Sequence, residues 1–139
     1  MLEQTFTMIK PDSVERGETG RILARMETAG LVIKRLKMLH LSPEEARQFY
    51  HMHAGKPFFE HLVAYISAGP VCAVVLEKED AIRELRALVG ATDPAEADEG
   101  TIRREFGLDN RRNAVHASDA PETAREEIAF FGLTLSREA

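Results

Sequence analysis

The pattern of hydrophobic and polar residues along the chain predicts four β-strands. Residues 4–9 alternate between polar and apolar side chains, and Pro11 ends this first strand. Residues 31–41 follow as a second, longer strand. Residues 71–76 are apolar throughout, which is typical of a central strand that is buried on both faces. The fourth strand is predicted at residues 113–116.

Helical periodicity predicts most of the segments between these strands. In residues 19–29 the apolar side chains share one helical face. Ser42 and Glu45 have the spacing of a capping box at the start of another helix, and we expect the same motif at residues 119–122, with Asp119 as the cap. The helices are expected at residues 19–29, 42–51, 58–67, 80–89, 101–106 and 119–131.

The order of the main elements, β-α-β-α-α-β-α-β-α, shows no repeat and no linker, so residues 1–139 are expected to form one domain. This order predicts the α+β class, specifically a ferredoxin-like α/β sandwich in which helices pack on one face of a four-stranded antiparallel sheet. The chain contains neither GxxxxGK[ST] nor GxGxxG. A nucleotide site here would therefore not be a glycine-rich phosphate loop.

Composition narrows the classes of partner. The net charge of −5 argues against nucleic acid or an anionic membrane as the main partner. The single cysteine, Cys72, lies in an apolar segment and cannot form an internal disulfide, which fits a reducing compartment. No segment has the length and hydrophobicity of a signal peptide or a membrane span, so we expect a cytoplasmic protein.

The segment NAVHASD contains the most conspicuous candidate for chemistry. His116 falls where a strand ends and a helix begins, and a neutral imidazole offers a lone pair that can accept a phosphoryl group. Such a histidine needs a carboxylate to orient it, and the following helix supplies Glu126 and Glu127, which Ser118 could bridge to the ring. On the local pattern alone, a structural histidine is the favoured interpretation.

Phosphoryl transfer also needs cations and hydrogen-bond donors around the phosphate oxygens. Four dispersed residues could serve, although each alone fits a surface charge or a cap better: Lys10, Arg86, Thr92 and Arg103. Three further arginines, Arg104, Arg111 and Arg112, are assigned to the surface. The spacing of His51 and His53 on a helix points their side chains apart, which excludes a metal site there.

Four segments, taken together, resemble the nucleoside diphosphate kinase family. They occur in the family's order along essentially the whole chain: TMIKPD, Tyr50 followed by KPFFEHLVAYISAGP, GATDPAEADEGTIRREF, and NAVHASD. The resemblance reverses the interpretation of His116, because the family's phosphorylated histidine falls on this position. It implies a ping-pong enzyme that moves the terminal phosphate of ATP, or of another nucleoside triphosphate, to a nucleoside diphosphate.

The resemblance also implies roles for other residues. Ser118 and Glu127 would support His116, and Tyr50 would line the cleft. The remaining assignments divide among the parts of a nucleotide: Lys10 and Asn113 for the sugar hydroxyls, Arg86, Thr92 and Arg103 for the phosphates, and Phe58 and Leu62 for the base, where the spacing alone favours core packing. Mg²⁺ would be bound through the nucleotide's phosphates, with no all-protein metal site.

Two positions depart from the family pattern. Ala117 stands where glycine is more frequent, and Asn110 stands where some members place an apolar residue near the base. Only seven residues follow Gly132 in this sequence, so we expect no C-terminal tail like that of longer members. The resemblance implies a homo-oligomer built from dimers, a tetramer or a hexamer, and without that tail the smaller assemblies stay open.

Two other functions remain as alternatives. A histidine phosphocarrier would need His116 but not the phosphate-binding set or the Phe58 wall. A single-strand nucleic-acid binder would need aromatic side chains on the sheet surface. Most phenylalanines here fall on predicted helices, which argues against the second alternative.

Overall fold

The computed structural model describes residues 2–135 and contains one four-stranded sheet in that part of the chain. Its strands are β1 (Leu2–Ile9), β2 (Val32–Leu39), β3 (Val71–Glu79) and β4 (Val115–Ala117). They lie in the order β2-β3-β1-β4, and each neighbouring pair is antiparallel. This is the ferredoxin-like arrangement, so the predicted fold class is confirmed.

Seven α-helices and one 3₁₀ segment accompany the sheet within residues 2–135. The helices are α1 (Pro11–Glu15), α2 (Thr19–Thr28), α3 (Pro43–Phe49), α4 (Phe59–Ile66), α5 (Ala81–Val89), α6 (Ile102–Phe106) and α7 (Pro121–Phe130), and the 3₁₀ segment is His51–His53. The capping box of α3 is present as predicted, since Ser42 and Glu45 exchange both hydrogen bonds. None of these helices is long and apolar enough to cross a membrane.

The helices cover both faces of the sheet, so the expectation that they pack on one face is wrong. Along β3, Val71, Ala73 and Val75 belong to a core cluster that includes α3, α4 and α7. The alternate residues Cys72, Val74 and Leu76 belong to a second cluster with α2, α5 and α6. Successive side chains of a strand point to opposite faces, so a continuous apolar strand requires a cover on each side.

The predicted boundaries around β4 are also corrected. Ala114 has φ of 77° and is fully buried, so the chain enters the sheet only after it and the strand begins at Val115. The last helix begins at Pro121, and its capping position falls on Ala120, which provides no side-chain hydrogen bond. The predicted cap at Asp119 is therefore wrong by one residue.

The contact between β1 and β4 positions the candidate chemistry. His116 is paired with Met8 in the middle of β4, and the Thr7 hydroxyl donates to the His116 carbonyl over 2.7 Å. Directly after β1, the Lys10 amide donates to the Ala114 carbonyl over 2.8 Å. The sequence segments TMIKPD and NAVHASD are thus neighbours at one end of the sheet.

Candidate active site

One cavity of about 570 Å³ at this end of the sheet contains every residue that was predicted to line the cleft. It is lined by Lys10, Tyr50, Phe58, Leu62, Arg86, Thr92, Arg103, Asn113 and His116, together with His53, Asn110, Arg111, Ala117 and Asp119. These residues come from β4, the helices α4, α5 and α6, the 3₁₀ segment and the loops between the elements. The cavity volume is within the range of pockets that hold a small ligand.

His116 is held from behind by a buried carboxylate. Its Nε2 atom lies 2.8 Å from Glu127 Oε2, and the Ser118 hydroxyl donates to Glu127 Oε1 over 2.5 Å. Ser118 is fully buried and Glu127 nearly so. A carboxylate only accepts hydrogen bonds, so this contact favours the tautomer with the proton on Nε2 and leaves the lone pair on Nδ1.

Aromatic rings fix the orientation of the His116 imidazole. The Phe49 ring meets it edge-on at a centroid distance of 5.3 Å, and the rings of Phe6 and Tyr50 lie at 6.1 and 6.4 Å. Burial raises the pKa of Tyr50, so its hydroxyl remains a neutral donor. Sequence reasoning did not single out Phe6 or Phe49, because both fit an ordinary apolar core.

Lys10 and Asn113 form one side wall of the cavity. Lys10 Nζ donates to Asn113 Oδ1 over 2.8 Å, and Asn113 Nδ2 donates to the carbonyl oxygen of Thr92 over 3.0 Å. Burial, with a smaller contribution from the charge of Arg103, lowers the pKa of Lys10 to about 8. Asp12 and Asp109 act in the opposite direction, so the ammonium is still charged at neutral pH.

Two guanidinium groups border the cavity close to His116. Arg103 donates to the carbonyl of Val115 over 2.9 Å and to that of Gly90 over 3.1 Å, while Arg86 donates to the carbonyl of Ala117 over 3.2 Å. Burial, and next the charge of Arg86, lowers the pKa of Arg103 to about 10. Its buried Nε has no hydrogen-bond partner among residues 2–135. A set of cations with an unused donor suits a multiply charged anion.

The mouth of the cavity is more apolar than its interior. The Phe58 side chain is 40% exposed, and the His53 ring packs against it at a centroid distance of 5.4 Å. Leu62 lies one helical turn farther along, is half-buried and also packs on the core. An exposed aromatic ring at the rim of a pocket provides a stacking surface for a flat ligand.

Three residues of the cavity had no predicted role in it. Arg111 was assigned to the surface, His53 was considered only as a metal ligand, and Asp119 was expected to cap a helix. The position of Asp119 three residues after His116 could have suggested its place in the cavity. Arg111 reaches it from a loop and His53 from the 3₁₀ segment, and tertiary packing sets the position of both.

The cavity offers few carboxylates that could bind a metal ion. Within residues 2–135 no group of three His, Cys, Asp or Glu side chains lies together in a way that could hold a metal ion. Asp119 is the cavity's carboxylate, and its other charged side chains are cations. Phosphate oxygens are the usual complement for Mg²⁺ in such sites.

The chain is similar in sequence to known kinases that act on nucleotides. The model of the family described as nucleoside diphosphate kinase matches residues 3–133. The nucleoside diphosphate kinase of Desulfovibrio desulfuricans is 53% identical over 138 residues, which are 98% of this chain and 99% of that protein. The enzyme of Archaeoglobus fulgidus is 53% identical over 94% of this chain and 86% of its own.

Solved structures agree with the sequence comparison. The Aquifex aeolicus nucleoside diphosphate kinase has a TM-score of 0.92 and 47% identity, over 94% of this chain and 95% of its own. The Halobacterium salinarum enzyme in complex with CDP has a TM-score of 0.90 and 44% identity, over 94% and 88% of the two chains.

This chain belongs to the nucleoside diphosphate kinase family. It is an enzyme that binds nucleotides and transfers the terminal phosphate of a nucleoside triphosphate to a nucleoside diphosphate, with the ping-pong phosphohistidine mechanism and the divalent cation that characterise the family. The phosphocarrier and nucleic-acid alternatives are not needed to explain the residues of the cavity.

Proposed function

We propose that His116 is the residue that carries the phosphate, and that it does so on Nδ1. The observation that supports this most directly is the 2.8 Å contact between His116 Nε2 and Glu127 at the edge of a cationic cavity. The contact uses one ring nitrogen and leaves the other as the nucleophile. Glu127 also stabilises the imidazolium character that develops when Nδ1 forms a bond to phosphorus.

The two half-reactions use the same chemistry in opposite directions. In the first, the Nδ1 lone pair attacks the terminal phosphorus of a triphosphate, a P–N bond forms, and the bond from phosphorus to the bridging oxygen breaks. The diphosphate leaves with the electrons of that bond. In the second, a terminal oxygen of another diphosphate attacks the phosphohistidine, and the imidazole leaves. The P–N bond of the phosphohistidine is comparable in energy with the anhydride bond of the nucleotide. The intermediate is therefore not so stable that either half-reaction is blocked.

The other residues of the cavity hold the nucleotide. We assign Arg86, Thr92 and Arg103 to the phosphates, since the guanidinium groups lie beside the strand that carries His116 and catalysis of phosphoryl transfer depends on positioning and charge. Lys10 and Asn113 contact the sugar hydroxyls. Phe58 and Leu62 support the base at the mouth.

Mg²⁺ is the divalent cation that we assign to the reaction. Bound together with the nucleotide, it would neutralise part of the negative charge of the phosphates. The protein's own contribution is the orientation of the phosphates by Arg86 and Arg103 and of the ring by Glu127.

We also expect a homo-oligomer built from dimers, either a tetramer or a hexamer. Val32, Leu36 and Met38 on edge strand β2 are each about half exposed, at 55%, 48% and 51%. An edge strand with exposed apolar side chains supports association with a second copy of the chain. Sedimentation velocity would give the assembly size directly.

The experiment that tests the site is transfer of label from γ-labelled ATP. We expect an acid-labile, base-stable label on the wild-type protein that a different nucleoside diphosphate removes. The His116→Ala variant should take up no label while its nucleotide Kd stays within about tenfold of wild type, because the nucleophile contributes little to ground-state binding. His51→Ala, which changes an exposed histidine outside the cavity, is the matched control. Persistent labelling of His116→Ala would refute the assignment.

A further inference from the structure

Arg103 lies on helix α6, which is too short to be stable on its own. Helix α6 has only five residues, Ile102–Phe106, with Thr101 as its cap. An isolated helix of this length does not persist in water, so tertiary contacts must fix its position. Ile102 and Phe106 provide one such contact because both are buried in the core cluster on this face of the sheet.

Two arginines from the N-terminal part of the chain hold the backbone at both ends of α6. Arg25, in the last turn of α2, donates to the carbonyl of Gly100 and forms an ion pair with Glu105. Arg16, which follows α1, donates to the carbonyl of Phe106 over 2.5 Å and is paired with Glu18 over 2.9 Å. The last carbonyl groups of a helix lack partners within it, so Arg16 satisfies one of them at Phe106, while Arg25 binds the backbone directly before the cap, at Gly100.

Arg25 contacts one side of α6, and Arg103 projects towards the cavity from a different side. Arg103 and Glu105 are two positions apart, and on a helix that spacing separates side chains by about 200°. Arg103 therefore points towards Val115 and Gly90, while Glu105 points towards α2. A shift of Glu105 or Gly100 would therefore move the backbone of α6 that carries Arg103. Neither Glu105 nor Gly100 lines the cavity.

We propose that Arg25 is a positioning residue for the reaction, which acts by holding α6 so that Arg103 meets the transferred phosphate. The proposal rests on the proposed role of Arg103. Arg25 donates to a carboxylate from one terminal nitrogen and to a carbonyl from the other, whereas lysine would have to reach both acceptors from a single nitrogen. Arg25 itself does not line the cavity.

The test measures the single-turnover rate of protein phosphorylation by ATP and Mg²⁺ for variants of these residues. We expect Arg25→Ala to slow the reaction about tenfold, less than the hundredfold that a displacement of ~1 Å can cost. Arg25→Lys and Glu105→Gln should each slow it by a smaller factor. Arg21→Ala is the matched control, because Arg21 is an exposed arginine of the same helix whose side chain makes no hydrogen bond or ion pair within residues 2–135.

A double-mutant cycle separates positioning from general destabilisation. If Arg25 acts through Arg103, then Arg25→Ala should have no further effect on the rate once Arg103→Ala is present, whereas a loss of stability would add in both backgrounds. Rates are compared below the melting temperature of every variant. Additive effects, or equal rates for Arg25→Ala and Arg21→Ala, would overturn the proposal. If Arg103→Ala alone left the rate unchanged, the proposed role of Arg103 would fail instead.

Should Arg25→Ala not fold, the milder Glu105→Gln variant tests the same contact from the other side. It removes the charge of the ion pair but keeps the side-chain volume. Its rate, alone and combined with Arg103→Ala, must follow the same non-additive pattern. A Glu105→Gln protein with the wild-type phosphorylation rate would exclude the ion pair as part of the positioning contact.

Discussion

Lys10 and Asn113 stand 103 residues apart in the chain and are joined by a 2.8 Å hydrogen bond from Lys10 Nζ to Asn113 Oδ1. The bond links the end of β1 to the segment before β4. It orients the ammonium and the amide as one wall of the cavity. Since the lysine is also largely desolvated, its charge is more sensitive to pH than that of a surface lysine.

The first prediction follows from this sensitivity. The pKa of Lys10 is lowered to about 8, so the free enzyme carries the ammonium charge at pH 7 and loses it as pH rises through 8. If Lys10 contacts the nucleotide, the Kd of a nucleoside diphosphate should rise by up to about tenfold per pH unit above this value. Isothermal titration across the range measures it. A Lys10→Gln variant should bind more weakly, with a flat profile.

A wild-type Kd that stays constant up to about pH 9.5 would contradict the prediction. It would mean that the enzyme binds the nucleotide equally well with a neutral Lys10 amine and with the ammonium. Besides burial, which has the largest effect, the charges that shift the pKa of Lys10 are those of Arg103, which lowers it, and of Asp12 and Asp109, which raise it. Asp109 remains ionised throughout, as its hydrogen bonds from the Arg112 backbone and side chain lower its pKa to about 2.

The second prediction concerns the tautomer of His116. A Glu127→Gln variant can present its amide nitrogen to Nε2, and the ring would then carry its proton on Nδ1, where it blocks attack on phosphorus. We expect the rate of phosphorylation to fall by several powers of ten, up to about 10⁴ as for the equivalent change in a serine-protease triad. Nucleotide affinity should change little. Rapid-quench labelling measures the rate.

Glu126→Gln is the control for this change, because Glu126 is the exposed neighbour on the same helix. It should retain the wild-type rate. Equal rates for the two variants would mean that the contact between Glu127 and His116 does not govern the nucleophile. Ser118→Ala should have an intermediate effect, since it removes only the donor to the far oxygen of Glu127.

Much of the fold was predictable from the sequence, because buried strands and capped helices carry local signals. The apolar segment of β3 and the capping box at Ser42 are examples. Helix α1 was not predicted, since Pro11 was taken only as the end of a strand. Proline is equally suited to the first turn of a helix, and here it occupies that position.

The contacts within the site could not be predicted from local sequence patterns. Nothing near His116 in the sequence shows that Arg103 donates to the carbonyl of Val115, or that Phe49 packs on the imidazole. These contacts arise from tertiary packing between segments that are far apart. Only the combination of four motifs in the family's order allowed the residues of the cavity to be predicted together.

The third prediction is that Arg86 matters more for rate than for folding. Its side chain is exposed, and its hydrogen bond within residues 2–135 is a 3.2 Å contact to the Ala117 carbonyl. Arg86→Lys keeps the charge but loses the planar fork, so we expect turnover to fall by at least about tenfold. Melting temperature should stay within a few degrees, about the shift from a 1 kcal/mol change.

Arg83→Lys gives the matched comparison on the same helix. Arg83 is exposed and paired with Asp80 outside the cavity, so its replacement should leave turnover unchanged. Full turnover of Arg86→Lys would show that the guanidinium geometry is not required.

The last prediction concerns the base, and it follows from the chemistry of the cavity mouth. In the role that we propose for them, Phe58 and Leu62 would contact only the flat face of a base, which purines and pyrimidines both have. Rejection of a wrong base requires donors and acceptors aimed at its edge, since leaving such groups unpaired is what weakens binding. Asn110 is the mouth residue with an amide side chain, and its backbone carbonyl already accepts a 3.3 Å hydrogen bond from Asn113.

We therefore expect adenine, guanine, cytosine, uracil and thymine nucleotides all to react, as ribose or deoxyribose forms. Their kcat/KM values should lie within about two powers of ten, the spread that stacking differences of ~1–3 kcal/mol allow. Single-turnover dephosphorylation of the phosphoenzyme by each diphosphate measures this. If Asn110 contacts the base edge, Asn110→Val narrows the spread further. A preference for one base beyond about a thousandfold is outside what stacking can produce, and it would reveal a hydrogen-bonding base pocket at the mouth.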